Sequence, residues 1–419
     1  MHTRTHLLIL CLLAALPAFA QHLLVPMDQT QTNHLRAYGL TYWCLQAPRG
    51  YECEWLLNYR GGAFLLPDAP EVRARAGALG VSLSPLDGAG REALSRTIAQ
   101  ENMERMQLTR APRIAVYVPP DNEPWDDAVR VALEYAQIEY KTVWDREVLE
   151  GKLADYDWLH LHHEDFSGQF GRFGTTFAHT PWYRRQVQSS QNMAQALGFP
   201  SVGAEKQAVA AAIAGWVGKG GLLFAMCSAP DSLDVALAAQ GLDIVPPQID
   251  GTPMDPQANS RLDFSRTMAF RNFKLVMDPS VVEISDIDVQ AEGSARATGQ
   301  TFELFEFSAK QDPIATMLVQ DHVGRVPDFM GLTTAFRRGA LKDTVIVLGD
   351  YPGQDKVKYI HGDYGEGTFT FLAGHDPEDY AHFVGEPATD VSFHPHSPGY
   401  RLILNNVLFP AAKTKERKT

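Results

Sequence analysis

Residues 219–234 read Lys-Gly-Gly-Leu-Leu-Phe-Ala-Met-Cys-Ser-Ala-Pro-Asp-Ser-Leu-Asp, an apolar strand that runs into Cys227 and then, with Asp231 in the first turn, into an apolar helix. A thiol on such a strand-to-helix turn sits over a helix dipole and beside backbone amides, which lowers its pKa and stabilises an oxyanion. Cys227 is therefore a candidate nucleophile. The alternative is a small apolar residue packed at the end of a buried strand. A thiol nucleophile needs a base and an acid that orients the base. Gly374-His-Asp-Pro-Glu378 offers His375 as the base and Glu378 or Asp376 as the acid. The same turn also reads as a helix entry in which His375 only packs.

A second concentration of chemistry lies at His160-Leu-His-His-Glu-Asp165. Strand alternation puts His160 and His162 on one face and leaves His163, Glu164 and Asp165 at the strand mouth. Two imidazoles and a carboxylate suffice for zinc or non-haem iron, although the spacing matches no helical zinc signature, so whether a metal binds stays open. A charged strand end hydrogen-bonded within a pocket is the other reading. Polar runs also follow the first two strands, Asp28-Gln-Thr-Gln-Thr-Asn-His34 and Asn58-Tyr-Arg-Gly-Gly62. In open parallel sheets ligands sit beyond the carboxyl ends of strands, which makes Asn33, His34, Arg60, His162, His163, Glu164 and Asp165 candidate substrate-binding residues. Aromatic and basic residues within 166–185, among them Phe170, Phe173, Trp182, Tyr183, Arg184 and Arg185, would form a lid of ring faces or the packing of a long loop.

The elements that must position these groups alternate between strand and helix. Strands are predicted at 22–27, 51–57, 113–118, 158–161, 222–226 and 344–348, and helices at 33–46 and from Pro124, with Asp126 and Asp127 in its first turn. A hairpin joins 358–360 to 368–372, and Ser397 with Pro398 opens a last helix through Leu408. The pattern predicts an α/β fold with a doubly wound, mostly parallel sheet of the flavodoxin type. Its divisions are 1–20 as a signal peptide, 21–110 as an N-terminal β-α-β unit, 111–250 as the first part of the core, 251–310 as a β-rich insertion and 311–419 as the rest of the core with the C-terminal helix.

Composition narrows the function further. Arg4 and His6, the apolar run 7–16 and Ala18-Phe-Ala20 have the plan of a cleavable export signal, so a periplasmic or extracellular protein is expected. Removal of that segment takes Cys11 and leaves Cys44, Cys53 and Cys227, an odd number, with Cys44 and Cys53 placed to meet in a disulfide. A net charge of −13 across 419 residues argues against nucleic acid, and no later segment is apolar enough for stable membrane insertion. The basic tail 413–418 reads as a solvated end. The expected partner is a small-molecule substrate; no cofactor is implied, and the oligomeric state is open.

With the elbow at Cys227 and the turn at His375 in hand, the chain resembles the class I glutamine amidotransferase-like fold, and within it the trehalose-utilisation (ThuA-like) group. The likeness rests on Ala214-Gly-Trp-Val-Gly-Lys-Gly-Gly-Leu-Leu-Phe, the Cys227-Ser-Ala-Pro-Asp231 turn and Tyr364-Gly-Glu-Gly-Thr-Phe-Thr-Phe-Leu-Ala-Gly-His-Asp376. It implies a Cys-His-Glu amide chemistry on Cys227, His375 and Glu378, the last one residue further from the histidine than in that family, or carbohydrate-related chemistry. The whole chain also resembles exported bacterial proteins labelled asparagine synthetase B, through Met27-Asp-Gln-Thr-Gln-Thr-Asn-His-Leu, Trp158-Leu-His-Leu-His-His-Glu-Asp-Phe and Phe224-Ala-Met-Cys-Ser-Ala. A glutamine-hydrolysing synthetase needs an N-terminal Cys and a Ser-Gly-Gly-Leu-Asp-Ser loop for ATP; the nearest approach here, Asp231-Ser-Leu-Asp234, lacks both glycines. The expectation is an enzyme acting on a small amide or sugar derivative, with a non-catalytic glycan- or peptide-binding module as the alternative.

Overall fold

In the computed structural model, residues 22–120, 127–289, 300–331, 333–379 and 385–413 are described. The signal-like segment 1–20, Pro124 with Asp126, and most of the basic tail lie outside them. Two sheets organise the chain. The first is built from β1 (His22–Val25), β2 (Cys53–Leu57), β3 (Ala63–Pro67), β4 (Ser84–Leu86) and β5 (Glu104–Leu108) in the order β4-β1-β3-β2-β5. Every pairing in it is antiparallel. The helix α1 (His34–Leu45) links β1 to β2, which point the same way but are separated by β3, so the expected β-α-β unit is a split one.

The second sheet holds β6 (Ile114–Tyr117), β7 (Lys141–Val143), β8 (Trp158–Leu161), β9 (Leu222–Met226), β10 (Thr301–Leu304), β11 (Arg325–Pro327), β12 (Phe336–Arg337), β13 (Ile346–Asp350), β14 (Lys356–Tyr364) and β15 (Gly367–Leu372). Its order is β11-β10-β13-β14-β15-β9-β8-β6-β7, with β12 beside β14. From β15 to β7 the neighbours are parallel. From β15 to β11 they are antiparallel, including β13, which the sequence placed in a parallel sheet. The fold is thus α/β with a mixed sheet. Of the stretch 251–310, expected to be β-rich, the described residues hold a short helix at Ala258–Arg261, isolated bridges and one strand, β10.

The parallel half follows from sequence directly: β9 reads Leu-Leu-Phe-Ala-Met with four of five residues buried, as a strand covered on both faces must be. On one face, Trp158, Phe224 and Met226 pack with α1, α2 (Ala128–Ala136) and the C-terminal helix α5 (Pro398–Leu408), in a core continuous with the first sheet through Trp55 and Phe64. On the other, Leu159, Leu161 and Ala225 pack with α3 (Val202–Val217) and α4 (Ala229–Ala238). Helix α1 crosses α2 at Gly39, where a Cβ would lie 1.7 Å from the Ala136 carbonyl oxygen, so a side chain there would drive the two helices apart. Helix α5 begins as its sequence dictates, the Ser397 side chain accepting from the Tyr400 N–H with Pro398 in the first turn. Among the described residues no helix is long and apolar enough to cross a membrane.

Candidate functional site

Parallel pairing of β8, β9 and β15 brings three strand ends to one edge, and the candidates carried on those ends meet there. Beyond β8 stand His162 and His163, beyond β9 stands Cys227, and beyond β15 stands His375. The three histidines each offer a ring nitrogen, and these atoms lie within 4.8 Å of one another. His163 Nδ1 is 3.0 Å from His375 Nε2, and the rings of His162 and His375 are 4.1 Å apart. Two nitrogens bonded to one tetrahedral zinc at about 2.0 Å stand about 3.3 Å apart, so this spacing suits a shared ion. His162 and His375 are each 3% exposed, and His163 is half-buried.

Behind the cluster sits a carboxylate that the sequence assigned only to a helix turn. Asp127 is the N-cap of α2 and accepts from the N–H groups of Val129 and Arg130, while its Oδ1 lies 3.7 Å from His162 Nδ1 and 3.3 Å from His160 Nε2. Burial alone would push this carboxyl up, but His160 and the backbone donors prevail and hold it below its ordinary value. At 3.7 Å from His162 the carboxylate acts on that ring through its charge, while its side-chain hydrogen bond goes to His160. His160 itself faces the Phe224 carbonyl at 3.2 Å through Nδ1, so it has an oxygen beside each nitrogen and stands behind the cluster.

The elbow has the strained backbone that a presented nucleophile requires. Cys227 has φ +55°, a left-handed conformation costly for a side-chain-bearing residue, and the residue is only 1% exposed. Its N–H donates to the Gly374 carbonyl at 3.0 Å, so this amide is engaged and not free for an oxyanion. Gly374, with φ +91°, must be glycine: a Cβ would meet Phe329 Cβ at 2.5 Å and Lys358 Nζ at 2.9 Å. The N–H groups of Gly374 and His375 bond to the carbonyls of Thr333 and Met330, which fixes the His375 backbone beside the elbow. Beneath it Lys358, wholly buried, pairs with Asp328 at 2.5 Å; burial pulls its ammonium below the ordinary value despite that partner.

The remaining candidates separate. Glu378 turns to His394, 3.2 Å away, and Asp376 accepts from Tyr400 and from the N–H groups of Glu378 and Asp379, anchoring the turn to α5. Both carboxylates are thus engaged by partners other than His375. Asp165 spends its carboxylate on the N–H groups of Ser167, Gln169 and Gly171, shaping the loop after β8. Glu164 exerts its charge on Tyr117 and Lys206, the latter paired with Asp145 at 2.9 Å on the α3 side of the sheet. Asn33 caps α1 and donates to Tyr135, Arg60 pairs with Asp28 at 2.6 Å, and His34 lies with His322 and His396. Phe173, Phe177, Trp182 and Tyr183 form an aromatic group among themselves. Cys44 and Cys53 do meet, as buried thiols; their mutual hydrogen bond and burial push the Cys53 thiol well up.

No family model and no curated protein matches this chain. Among solved structures it is similar to cytoplasmic protein STM3548 from Salmonella typhimurium, with 10% identity and a TM-score of 0.35 over 72% of this chain and 100% of that one. Cytoplasmic protein STM1381 from Salmonella typhimurium LT2 gives 12% and 0.37 over 72% and 100%. The exo-beta-1,4-mannosidase Op5Man5 from Opitutaceae bacterium strain TAV5 gives 12% and 0.25 over 62% of this chain and 31% of that one. Likeness at this level assigns no activity.

Proposed function

We propose that this protein is an exported α/β hydrolase of doubly wound, amidotransferase-like type that uses a zinc or iron ion held by His162, His163 and His375 to cleave a small polar amide or sugar derivative. The convergence of three ring nitrogens from two strand ends within 4.8 Å is the observation that carries it. Such an ion lowers the pKa of a bound water toward 7 and polarises a carbonyl. The chain's own residues then do the rest: the Asp127 charge stands behind His162, the Gly374–Cys227 backbone bond fixes His375, and burial excludes bulk water. A thiol route through Cys227 with His375 as base is the second reading, favoured by the left-handed backbone at Cys227.

The test is metal content by mass spectrometry after zinc or iron reconstitution, with hydrolysis measured on a panel of small amides and N-acylated sugars. About one ion per chain, lost with turnover in His163→Ala and His375→Ala while Cys227→Ser keeps both, supports the metal reading. Less than 0.1 ion per chain, with turnover abolished by Cys227→Ser and by iodoacetamide, replaces it with the thiol reading.

A further inference from the structure

Beside the histidine cluster, on the α4 side, lies a cavity of about 30 Å³ lined by Asp165, Asp231, Glu283, Asp288, Ser228 and Thr333. It adjoins the site through two bonds: the Ser228 hydroxyl donates to the His163 carbonyl, and Thr333 accepts the N–H of Gly374. Among the described residues neither Asp231 nor Asp288 is in an ion pair; Thr333 bonds Asp288, and the N–H groups of Asp231 and Ser232 favour the charged form of Asp231. Asp231 is 2% exposed, and its Oδ1 has no hydrogen-bond partner among the described residues; Asp288 Oδ1 is in the same state. Two basic groups act on the cavity through their charge, Arg172 on Asp165 and Glu283 and Lys358 on Asp288, but both spend their hydrogen bonds elsewhere. Arg172 donates to the carbonyls of Val276, Asp278, Val281 and Glu283, and Lys358 pairs with Asp328. A buried carboxyl oxygen without donor or cation favours the protonated form, and a ligand that brings a positive charge lets it ionise.

We propose that this cavity binds a protonated amine, so that the substrate presents an ammonium head to Asp231 and Asp288 while its reacting bond lies at the histidines; the second clause rests on the metal reading above. A space of this size exceeds the 10–15 Å³ or so that one water requires and suits a single ammonium group. The shape of the donor set favours an amine over a metal ion: among the described residues, the only group of three His, Cys, Asp or Glu side chains with ligand atoms within 4.8 Å of one another is the histidine cluster. Burial pushes the Asp231 carboxyl up to about 8 and Asp288 well above its usual range, so the empty cavity holds protons that an ammonium ion would displace.

The test uses ethanolamine as the probe, ethylene glycol as its uncharged counterpart, and Ca²⁺ and Mg²⁺, each followed by thermal unfolding and calorimetry at pH 8. Ethanolamine at ten times its Kd is expected to raise Tm by about 2 °C and to release protons, with ethylene glycol inert. Asp231→Asn and Asp288→Asn should each abolish that shift, and Asp231→Asn alone should unfold no earlier than the parent because it removes an uncompensated acid. No shift up to 50 mM ethanolamine, an equal shift from ethylene glycol, or a shift retained in both variants overturns the proposal. A shift from Ca²⁺ or Mg²⁺ in place of ethanolamine replaces the amine with a metal ion. Zinc content measured on the same samples keeps the two readings apart, since a metal-free chain can still bind the amine and a zinc-loaded chain can fail to.

Discussion

Two trios of histidine lie in this chain, and they have opposite surroundings. His162, His163 and His375 converge at the ends of β8 and β15 with a carboxylate behind them. His34, His322 and His396 also touch, His34 stacking on His322 at 4.4 Å and meeting His396 at 3.0 Å through Nδ1. In the second trio, however, His34 Nε2 faces the carbonyls of Met27 and Asp28, and His322 Nδ1 lies between Asp321 at 2.8 Å and Arg401 at 3.1 Å. The fully buried Arg401 guanidinium already engages His322 there. Composition is the same in the two places, but only the first leaves its nitrogens directed at a common point, so the second is a structural joint between the first sheet and α5.

The largest break in this comparison is Arg401→Met. Arg401 donates to the carbonyls of Met27 and Gly61 and lies 3.8 Å from Asp321, itself 1% exposed, so its removal strands a buried charge. We expect a loss of about 3–5 kcal/mol in urea unfolding, with metal stoichiometry unchanged in the folded fraction. Asp127→Asn makes the converse cut: zinc affinity should fall about 10–100-fold in a competition titration, while stability of the metal-free chain changes far less than in Arg401→Met. Equal effects of the two variants on metal binding would erase the distinction.

Acid sharpens it. Burial first, then Arg401 and His322, pull the His34 imidazole down to about 3 from 6.5. Between those values the unfolded chain binds a proton that the folded chain refuses. The stability contributed by His34 is therefore present above pH 6.5 and lost as pH falls toward 3, by up to about 1.4 kcal/mol per unit. His361, drawn down to about 4 by burial, adds a parallel loss. With metal stripped by chelator, the parent should lose about 2 kcal/mol more than His34→Gln between pH 7 and pH 5. An identical pH slope in both proteins would refute the assignment of His34 to the closed trio.

Much of this was legible in the chain because it rests on local pattern. The bounds of β8, β9 and α5 match the runs read from sequence, and His163 stands beyond the strand end, at the mouth where alternation leaves it. What escaped depends on pairing between distant segments. The direction of β13 is set by its partner β14, and its own apolar run is the same for either sense. Asp127 read as a first-turn acid because the helix start was set at Pro124; its role appears only when α2 packs beside β8. Polar runs after β1 and β2 resembled ligand-binding edges, and the two do meet, but their groups are spent on each other and on the start of α1: Arg60 pairs with Asp28, and Asn33 caps the helix. Hence Asn33, His34 and Arg60 became capping and joining residues. Lys358 gave one faint signal, a charge within the apolar stretch Val357-Lys-Tyr-Ile360.

The smallest expected effect separates the histidine cluster from a Cys-His-Glu triad. If Glu378 oriented His375, its loss would lower turnover by orders of magnitude, as removal of an orienting acid does. Glu378 instead pairs with His394, whose side chain is 33% exposed, and a pair of that kind is worth about 0–1 kcal/mol. Glu378→Gln should therefore leave kcat and zinc content within about twofold of the parent and shift stability by less than about 1 kcal/mol. Asp127→Asn, measured beside it, should fall at least tenfold in zinc affinity. A hundredfold loss of kcat in Glu378→Gln with metal retained would restore the triad, because a surface pair with His394 cannot account for an effect of that size.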